Sequence, residues 1–285
     1  MPMQPPMTQE SASSPTKHQA PLCPFCGREL ARVTRGQYGF WAPCDCPDAQ
    51  AHDKVRKAEE ERAIAAELEE ARLRRYRKAG IPERWYVELR NPSLHAATGS
   101  RYDPGALSIC NAAMRGQGTW LIGDVGLGKT RAAMGAAMAY MDQRTISVGQ
   151  GLSRVEVTMA KVRCITEEDI LAAAGSRFGK GSTDEAALAG FKECALLILD
   201  DLGKAKPTAW AVSQIFAVID ARYSSRLPLV VTSQYGPSDL LARLSEEGEA
   251  KTAKSLVSRL CSMCDRKQMQ GYDHRLAGDA HVAGD

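Results

Sequence analysis

Eight consecutive residues carry the strongest chemical signal in this chain: Gly123-Asp124-Val125-Gly126-Leu127-Gly128-Lys129-Thr130. They fit the pattern G-x-x-x-x-G-K-[ST]. Glycines let a backbone wrap closely around a phosphate with its N–H groups pointing inward. A helix starting near Gly128 adds its positive end and its free donors. Lys129 then reaches the β- and γ-phosphates, and the Thr130 hydroxyl ligates Mg²⁺. At ordinary residue frequencies the four fixed positions match by chance in roughly one such chain in a hundred. A second signal is Leu196-Leu197-Ile198-Leu199-Asp200-Asp201. A buried strand that ends in carboxylates delivers them to the C-terminal edge of a sheet, where ligands sit. Asp200 is the expected Mg²⁺ holder, directly or through water, and Asp201 the group that polarises an attacking water. A third is Val230-Val231-Thr232-Ser233-Gln234. A polar residue there, Gln234 or Ser233, is placed to touch the γ-phosphate or the water. Together the three signals ask for ATP with Mg²⁺.

Of the nine cysteines, four cluster near the N-terminus and five, Cys110, Cys164, Cys194, Cys261 and Cys264, lie apart. Cys23-x-x-Cys26, then 17 residues, then Cys44-x-Cys46 offers four thiolates at zinc spacing. A closed Cys₄ site is structural, because it leaves no open coordination position. Such a metal folds a segment too small to hold itself by burial. A redox pair or plain free thiols are the other readings. Cys110, Cys164 and Cys194 sit among apolar residues and read as small core hydrophobes. The odd total rules out complete intramolecular pairing of all nine.

The elements that must position these residues follow from the pattern. Residues 1–20 are rich in Pro, Ser, Thr and Gln and read as a disordered tail. Residues 21–48 form the cysteine module, with the aromatics Phe25, Tyr38, Phe40 and Trp41. Residues 49–78 lack Gly and Pro and are dense in Ala, Glu, Arg and Lys, which predicts one long helix. Its thin apolar stripe (Val55, Ile64, Leu68, Leu73) suits a spacer or partner-binding element, so 49–79 is a linker helix ended at Gly80 and Pro82. Beyond it, strands at 119–122, 162–165, 195–199 and 229–232 alternate with helices at 108–115, 130–143, 167–174, 183–193 and 209–223. Thr166 with Asp169 three residues on reads as a capping box. Unalternating apolar strands between helices predict an α/β fold: a parallel sheet covered on both faces. That domain is expected over residues 80–270, with a loose tail at 271–285.

Composition excludes several classes. Of 285 residues, 44% are hydrophobic and 25% charged, ordinary values for a globular protein. The net charge of +3 is too small to argue for nucleic acid or membrane by itself. No apolar run approaches the roughly 20 residues that span a bilayer. The first residues contain no apolar core of a signal peptide, so a cytoplasmic protein without a membrane partner is expected.

Order and spacing now carry a resemblance. A phosphate loop, an acid-tipped strand about 70 residues on, and a T-S-polar strand end about 30 beyond look like the AAA+ class. In detail the text resembles the DnaC/DnaI-type helicase loaders and their relatives, the IstB transposition ATPases. It is carried by Ala79-Gly80-Ile81-Pro82-Glu83-Arg84, GDVGLGKT, Val162 to Leu171, LLILDDLG, Ile219 to Tyr223 with Arg226-Leu227-Pro228, and Ser258-Arg259-Leu260. It covers about residues 79–262, and the cysteine cluster is also similar to that of several loaders. The resemblance implies a P-loop AAA+ domain with a shortened lid, since only about 25 residues follow Arg259. It implies ATP hydrolysis, a polar sensor at Gln234 where the family often has Asn, and an arginine at or near Arg259 that reaches a neighbouring subunit's nucleotide. Asp201 stands where many related ATPases have Glu, one methylene longer, so slow hydrolysis is expected, modulated by a partner or DNA.

The implied partners are a hexameric replicative DNA helicase, held by the zinc module and the following helix, and single-stranded DNA. A homo-oligomer is implied when ATP or helicase is bound. Arg177, Lys180, Lys192, Lys204 and Lys206 are the basic candidates for DNA, with Phe178 as a stacking platform. The main alternative is an IstB-like transposition or phage accessory ATPase. A zinc ribbon that contacts DNA, a P-loop small-molecule kinase and a zinc adaptor that binds ATP without turnover are the other rivals. Residues 145–160 look like an insertion that the family does not explain.

Overall fold

A computed structural model describes residues 20–87, 102–149, 155–175, 184–247, 249–271 and 273. The chain divides into two compact units, Met1–Ala65 and Ala66–Asp285. Helix α1 (Pro47–Ala79) contributes to both, so the predicted long helix is present and the division falls inside it.

In the first unit, strands β1 (Arg32–Arg35) and β2 (Tyr38–Trp41) form an antiparallel hairpin beside the cysteines. Among the described residues from 20 to 65 only Cys23 and Cys46 are buried. The described residues of this unit form no apolar core of their own.

The second unit is the expected α/β fold. Its main sheet contains β3 (Gly118–Ile122), β6 (Val162–Thr166), β7 (Leu196–Leu202), β8 (Leu229–Ser233) and β9 (Cys264–Gln268), in the order β6-β7-β8-β3-β9. All four pairings are parallel. Side chains alternate across the sheet. Leu121, Cys164, Leu196, Ile198 and Val230 face one core, together with helices α3 (Pro104–Met114) and α4 (Lys129–Gln143). Trp120, Ile122, Leu197, Leu199 and Val231 face the other. That second core is completed by α5 (Glu167–Ala174), α6 (Glu185–Glu193), α7 (Ala209–Ser224), α8 (Pro237–Ser245) and α9 (Ala250–Met263).

The Thr166–Asp169 capping box forms as predicted at the start of α5. In α4, residues 133–141 are all buried, and the run of Ala and Gly there lets α3 lie close against it. Cys110, Cys164 and Cys194 are buried, and burial pushes the Cys110 thiol up to about 11. Arg222 on α7 is fully buried and has no carboxylate beside it. Its guanidinium donates instead to the carbonyls of Phe191, Cys194 and Pro228, at 3.0, 2.9 and 2.6 Å, and so ties α6, β7 and the approach to β8 together.

Two strand groups were not legible in the sequence. Strand β9 reads Cys-Asp-Arg-Lys-Gln. It has no apolar pattern because it is an edge strand held by backbone pairing to β3. The 145–160 insertion contains an antiparallel hairpin of β4 (Thr145–Val148) and β5 (Val155–Thr158). Its polar side is engaged, through the Thr145–Thr158 hydroxyl pair at 2.9 Å and an Arg75–Glu156 ion pair at 2.8 Å. Its apolar side, Ile146, Val148, Val155 and Val157, is exposed. Residues 150–154 of the insertion lie outside the described residues, as do the 1–19 part of the predicted tail and nearly all of 271–285.

Candidate nucleotide and zinc sites

The parallel register brings the strand tips together. Ile122 is level with Ser233, and Thr166 with Asp200. Strand β8 lies between the strand that leads into the phosphate loop and the strand that carries the acids. Its tip is therefore the natural bridge between them.

The loop 123–128 turns from β3 into α4. Gly128, the residue before α4, has φ +80°, a left-handed conformation that an L side chain rarely adopts. Lys129 is 6% exposed, and its Nζ donates to the Gly123 and Asp124 carbonyls at 2.7 Å each. Its charge is thus held inside the loop. Thr130 Oγ1 donates to Asp200 Oδ1 at 2.9 Å, so the helix and the acid strand already touch at the two groups expected to hold Mg²⁺.

The register slips between Leu199 and Leu202, and both acids fall in the irregularity. Asp201 takes φ +57° there, a conformation that Asp tolerates better than most residues. The strand therefore runs through the acids to Leu202 rather than ending before them. Thr232 on β8 locks this geometry. Its hydroxyl donates to Asp200 Oδ1 at 2.6 Å and accepts the Asp201 N–H at 2.9 Å. Burial raises the Asp200 carboxyl above the usual range, against the opposing pull of the Thr232 and Thr130 hydroxyls.

A cleft of about 350 Å³ opens over the loop, lined by Val125, Gly126, Gly128, Lys129, Thr130, Asp201 and Gln234 among others. Gln234 and Asp201 thus face it together. Ser233, the other candidate, is fully buried; it donates to the Leu202 carbonyl at 2.6 Å and fastens β8 to β7. Arg259 does not line this cleft. It lies on α9, ion-paired with Asp220 and stacked 4.7 Å from the Phe216 ring of α7. Of the basic residues assigned to DNA, Lys204 lines the nucleotide cleft and Lys206 pairs with Glu247 at 3.1 Å. Arg177, Phe178 and Lys180 lie outside the described residues.

Several participants were missed in the sequence. Trp85, on the short helix α2 (Glu83–Val87), forms one wall of the cleft. Its buried indole N–H has no partner among the described residues. Glu167 is 2% exposed, and its carboxylate accepts the N–H groups of Gly203 and Ala205 at 2.8 and 2.7 Å, which fixes the loop after Asp201. The chain beyond β9 crosses the phosphate loop. Met269 N–H donates to the Ile122 carbonyl at 2.7 Å, and the Asp273 carboxylate packs against Gly126 where any Cβ would collide with it. The GIPER signal pointed toward Trp85; Glu167 was legible only as a helix start.

The donor set suits its expected ligands. A hydroxyl and a carboxylate facing each other are hard oxygen ligands for Mg²⁺. Left-handed glycines, inward-held lysine and helix start suit a polyphosphate. Mg²⁺ held there would supply charge neutralisation at a phosphate, and Lys129, Asp201 and Gln234 line the same cleft.

In the first unit the four thiols of Cys23, Cys26, Cys44 and Cys46 lie within 4.8 Å of one another. Cys23 to Cys46 is 3.9 Å and Cys26 to Cys44 is 3.5 Å. Sulfurs of a tetrahedral site with Zn–S near 2.3 Å stand about 3.8 Å apart. Gly27 at φ +72° closes the turn of Cys23-Pro24-Phe25-Cys26, with its N–H on the Cys23 carbonyl at 2.9 Å. Hydrogen bonding from Arg28 pulls the Cys26 thiol down to about 6, whereas Cys44 is raised and Cys46, despite the Ala49 N–H, is pushed up to about 11 by desolvation and the neighbouring thiols, so the fit rests on the sulfur spacing. The residues fit the metal.

Fold and site together define a P-loop α/β protein with a cysteine cluster. Backbone similarity exists to a crystal structure of the DnaC helicase loader, covering 66% of this chain and 100% of that one at 17% identity and TM-score 0.48. A crystal structure of DnaI matches 67% of this chain and 95% of its own at 20% identity, also with TM-score 0.48. An AMPPCP-bound DnaA from Aquifex aeolicus matches 62% and 49% at 17% identity and TM-score 0.44. No protein-family model matches the sequence, and no curated protein does.

Proposed function

We propose that this chain is an AAA+ ATPase that loads a replicative DNA helicase, using ATP as an assembly switch. The observation that carries the reading is the Thr130–Asp200–Thr232 chain of hydrogen bonds, which couples the phosphate loop, the acid strand and the intervening strand at one point. A change in phosphate occupancy at Thr130 is thereby felt at Asp201 and Gln234. The loader assignment over other uses of ATP rests on the sequence resemblance, with the cysteine module separating it from the IstB-like alternative. Hydrolysis is slow, because the Asp201 carboxylate is short and is oriented by backbone rather than by a longer reach. The zinc module with the first part of α1 binds the helicase, the ATPase unit binds ATP and single-stranded DNA, and Arg259 acts on a neighbouring subunit's nucleotide once released from Asp220. The protein works in the cytoplasm; among the described residues no helix is long and apolar enough to cross a membrane.

Native mass spectrometry of the chain with the hexameric replicative helicase of its host, with and without ATP, tests this. A discrete complex carrying zinc and nucleotide is expected. Absence of a complex in every nucleotide state shifts the reading to a transposition or accessory ATPase.

Trp85 extends the same site toward the base. An aromatic wall beside a phosphate loop stacks a purine, and base–aromatic stacking is worth about 1–3 kcal/mol. Trp85→Ala is expected to weaken ATP binding about tenfold and to leave inorganic tripolyphosphate binding unchanged. Equal loss of both ligands in titration calorimetry would show that Trp85 only supports the fold.

A further inference from the structure

The hairpin of the cysteine module is built as a platform for unpaired nucleic acid. Every residue of β1 and β2 except the half-buried Trp41 is exposed, so neither face packs on a core. The pairing register places Val33 opposite Phe40 and Arg35 opposite Tyr38. Directly opposed residues share a face, as do residues two apart along a strand. One face therefore presents Val33, Arg35, Tyr38 and Phe40 side by side. Tyr38 is 71% exposed and Phe40 50%. Among the described residues the other exposed Phe, Tyr or Trp side chains are less open, Phe25 in this same module at 43% and Tyr223 at 42%. On the opposite face Arg32 lies 6.0 Å from the Trp41 ring. Gly39 beside it leaves room for the guanidinium.

Charge decides the kind of partner. Between Leu30 and Cys44 the charged residues are Arg32 and Arg35, with no acid. Of the two flanking acids, Asp45 is engaged by Arg28 at 2.7 Å, and Glu29 lies outside the hairpin in a bridge to Leu22. Two open rings with Arg35 on the same face suit a strand that offers flat bases and phosphates. They suit an apolar protein surface less well, because Arg35 stands opposite Tyr38 on the same face and its charge would need a partner there. Duplex DNA hides its base faces and could use only the arginines.

We infer that this hairpin face binds single-stranded nucleic acid, with bases stacked on Tyr38 and Phe40 and a phosphate on Arg35. The inference goes beyond the proposed loader role. It gives the small unit a nucleic-acid contact separate from the ATPase unit and leaves the flank of α1 for a protein partner.

The test uses the full-length, zinc-loaded chain and a fluorescent oligothymidylate, read by anisotropy. The double variant Tyr38→Ala/Phe40→Ala is expected to weaken binding at least tenfold, with zinc content and ATP binding unchanged. Tyr38→Phe/Phe40→Tyr should restore it. Arg35→Gln should reduce the slope of log affinity against log salt by about 0.7, the value for one phosphate contact on a single strand. Unchanged affinity in the double alanine variant overturns the inference. So does loss of helicase binding with oligonucleotide binding intact, which would make the face a protein-docking site.

Discussion

Replacing Lys129 by alanine is expected to remove ATP binding at least a hundredfold. The ammonium is held in the loop by the Gly123 and Asp124 carbonyls and is almost fully buried. A lysine so placed is already oriented when phosphate arrives. A hydrogen bond to a charged group is worth about 1.5–3 kcal/mol, and tenfold in affinity corresponds to about 1.4 kcal/mol. The upper part of that range alone gives a hundredfold. Titration calorimetry with ATP and Mg²⁺ reads this directly. Asp201→Asn is the contrasting case: its amide keeps the size of the side chain and its place in the cleft but cannot polarise water as a carboxylate does. Binding within a few fold of the unaltered chain, with turnover reduced at least tenfold, is expected. If Asp201→Asn turns ATP over at the unaltered rate, Asp201 has no part in the chemistry. If the unaltered chain binds ATP without hydrolysing it, the adaptor reading replaces the ATPase.

The sequence made the α/β unit legible wherever function and burial demanded a pattern. Buried parallel strands must be apolar throughout, so β3, β6, β7 and β8 stood out. Phosphate loops must be glycine-rich, so 123–128 did as well. What stayed hidden depended on tertiary partners. Strand β9 is polar because only its backbone is recruited, at the sheet edge. Thr232 looked like one of several polar residues at a strand end. Only the register shows that its hydroxyl, and not that of Ser233, meets Asp200. Trp85 is distant in sequence from every motif it faces. The apolar side of the β4–β5 hairpin points outward, against the usual pattern, so periodicity there gave no guide to which side the protein covers.

The cysteine module has the opposite economy, and removing its metal should have the other large effect. Among its described residues only Cys23 and Cys46 are buried, too little to hold them by hydrophobic burial. The hairpin pairing β1 with β2 is marginal alone in water. Structural zinc contributes about 10–16 kcal/mol of binding free energy to peptides of this kind, far more than the remaining contacts here. Cys23→Ser, or stripping zinc with a strong chelator, is therefore expected to unfold residues 21–46. Rapid cleavage by trypsin at Arg28, Arg32 and Arg35 would report it, with zinc content falling from one per chain to near zero. The α/β unit keeps its own two cores, so ATP affinity and the cooperative melting of that unit should stay as they were. Helicase and oligonucleotide binding should fall together with the metal. A zinc-free chain that resists cleavage at those arginines would mean that the thiols are clustered for another purpose. Simultaneous loss of ATP binding would mean that the two units fold as one.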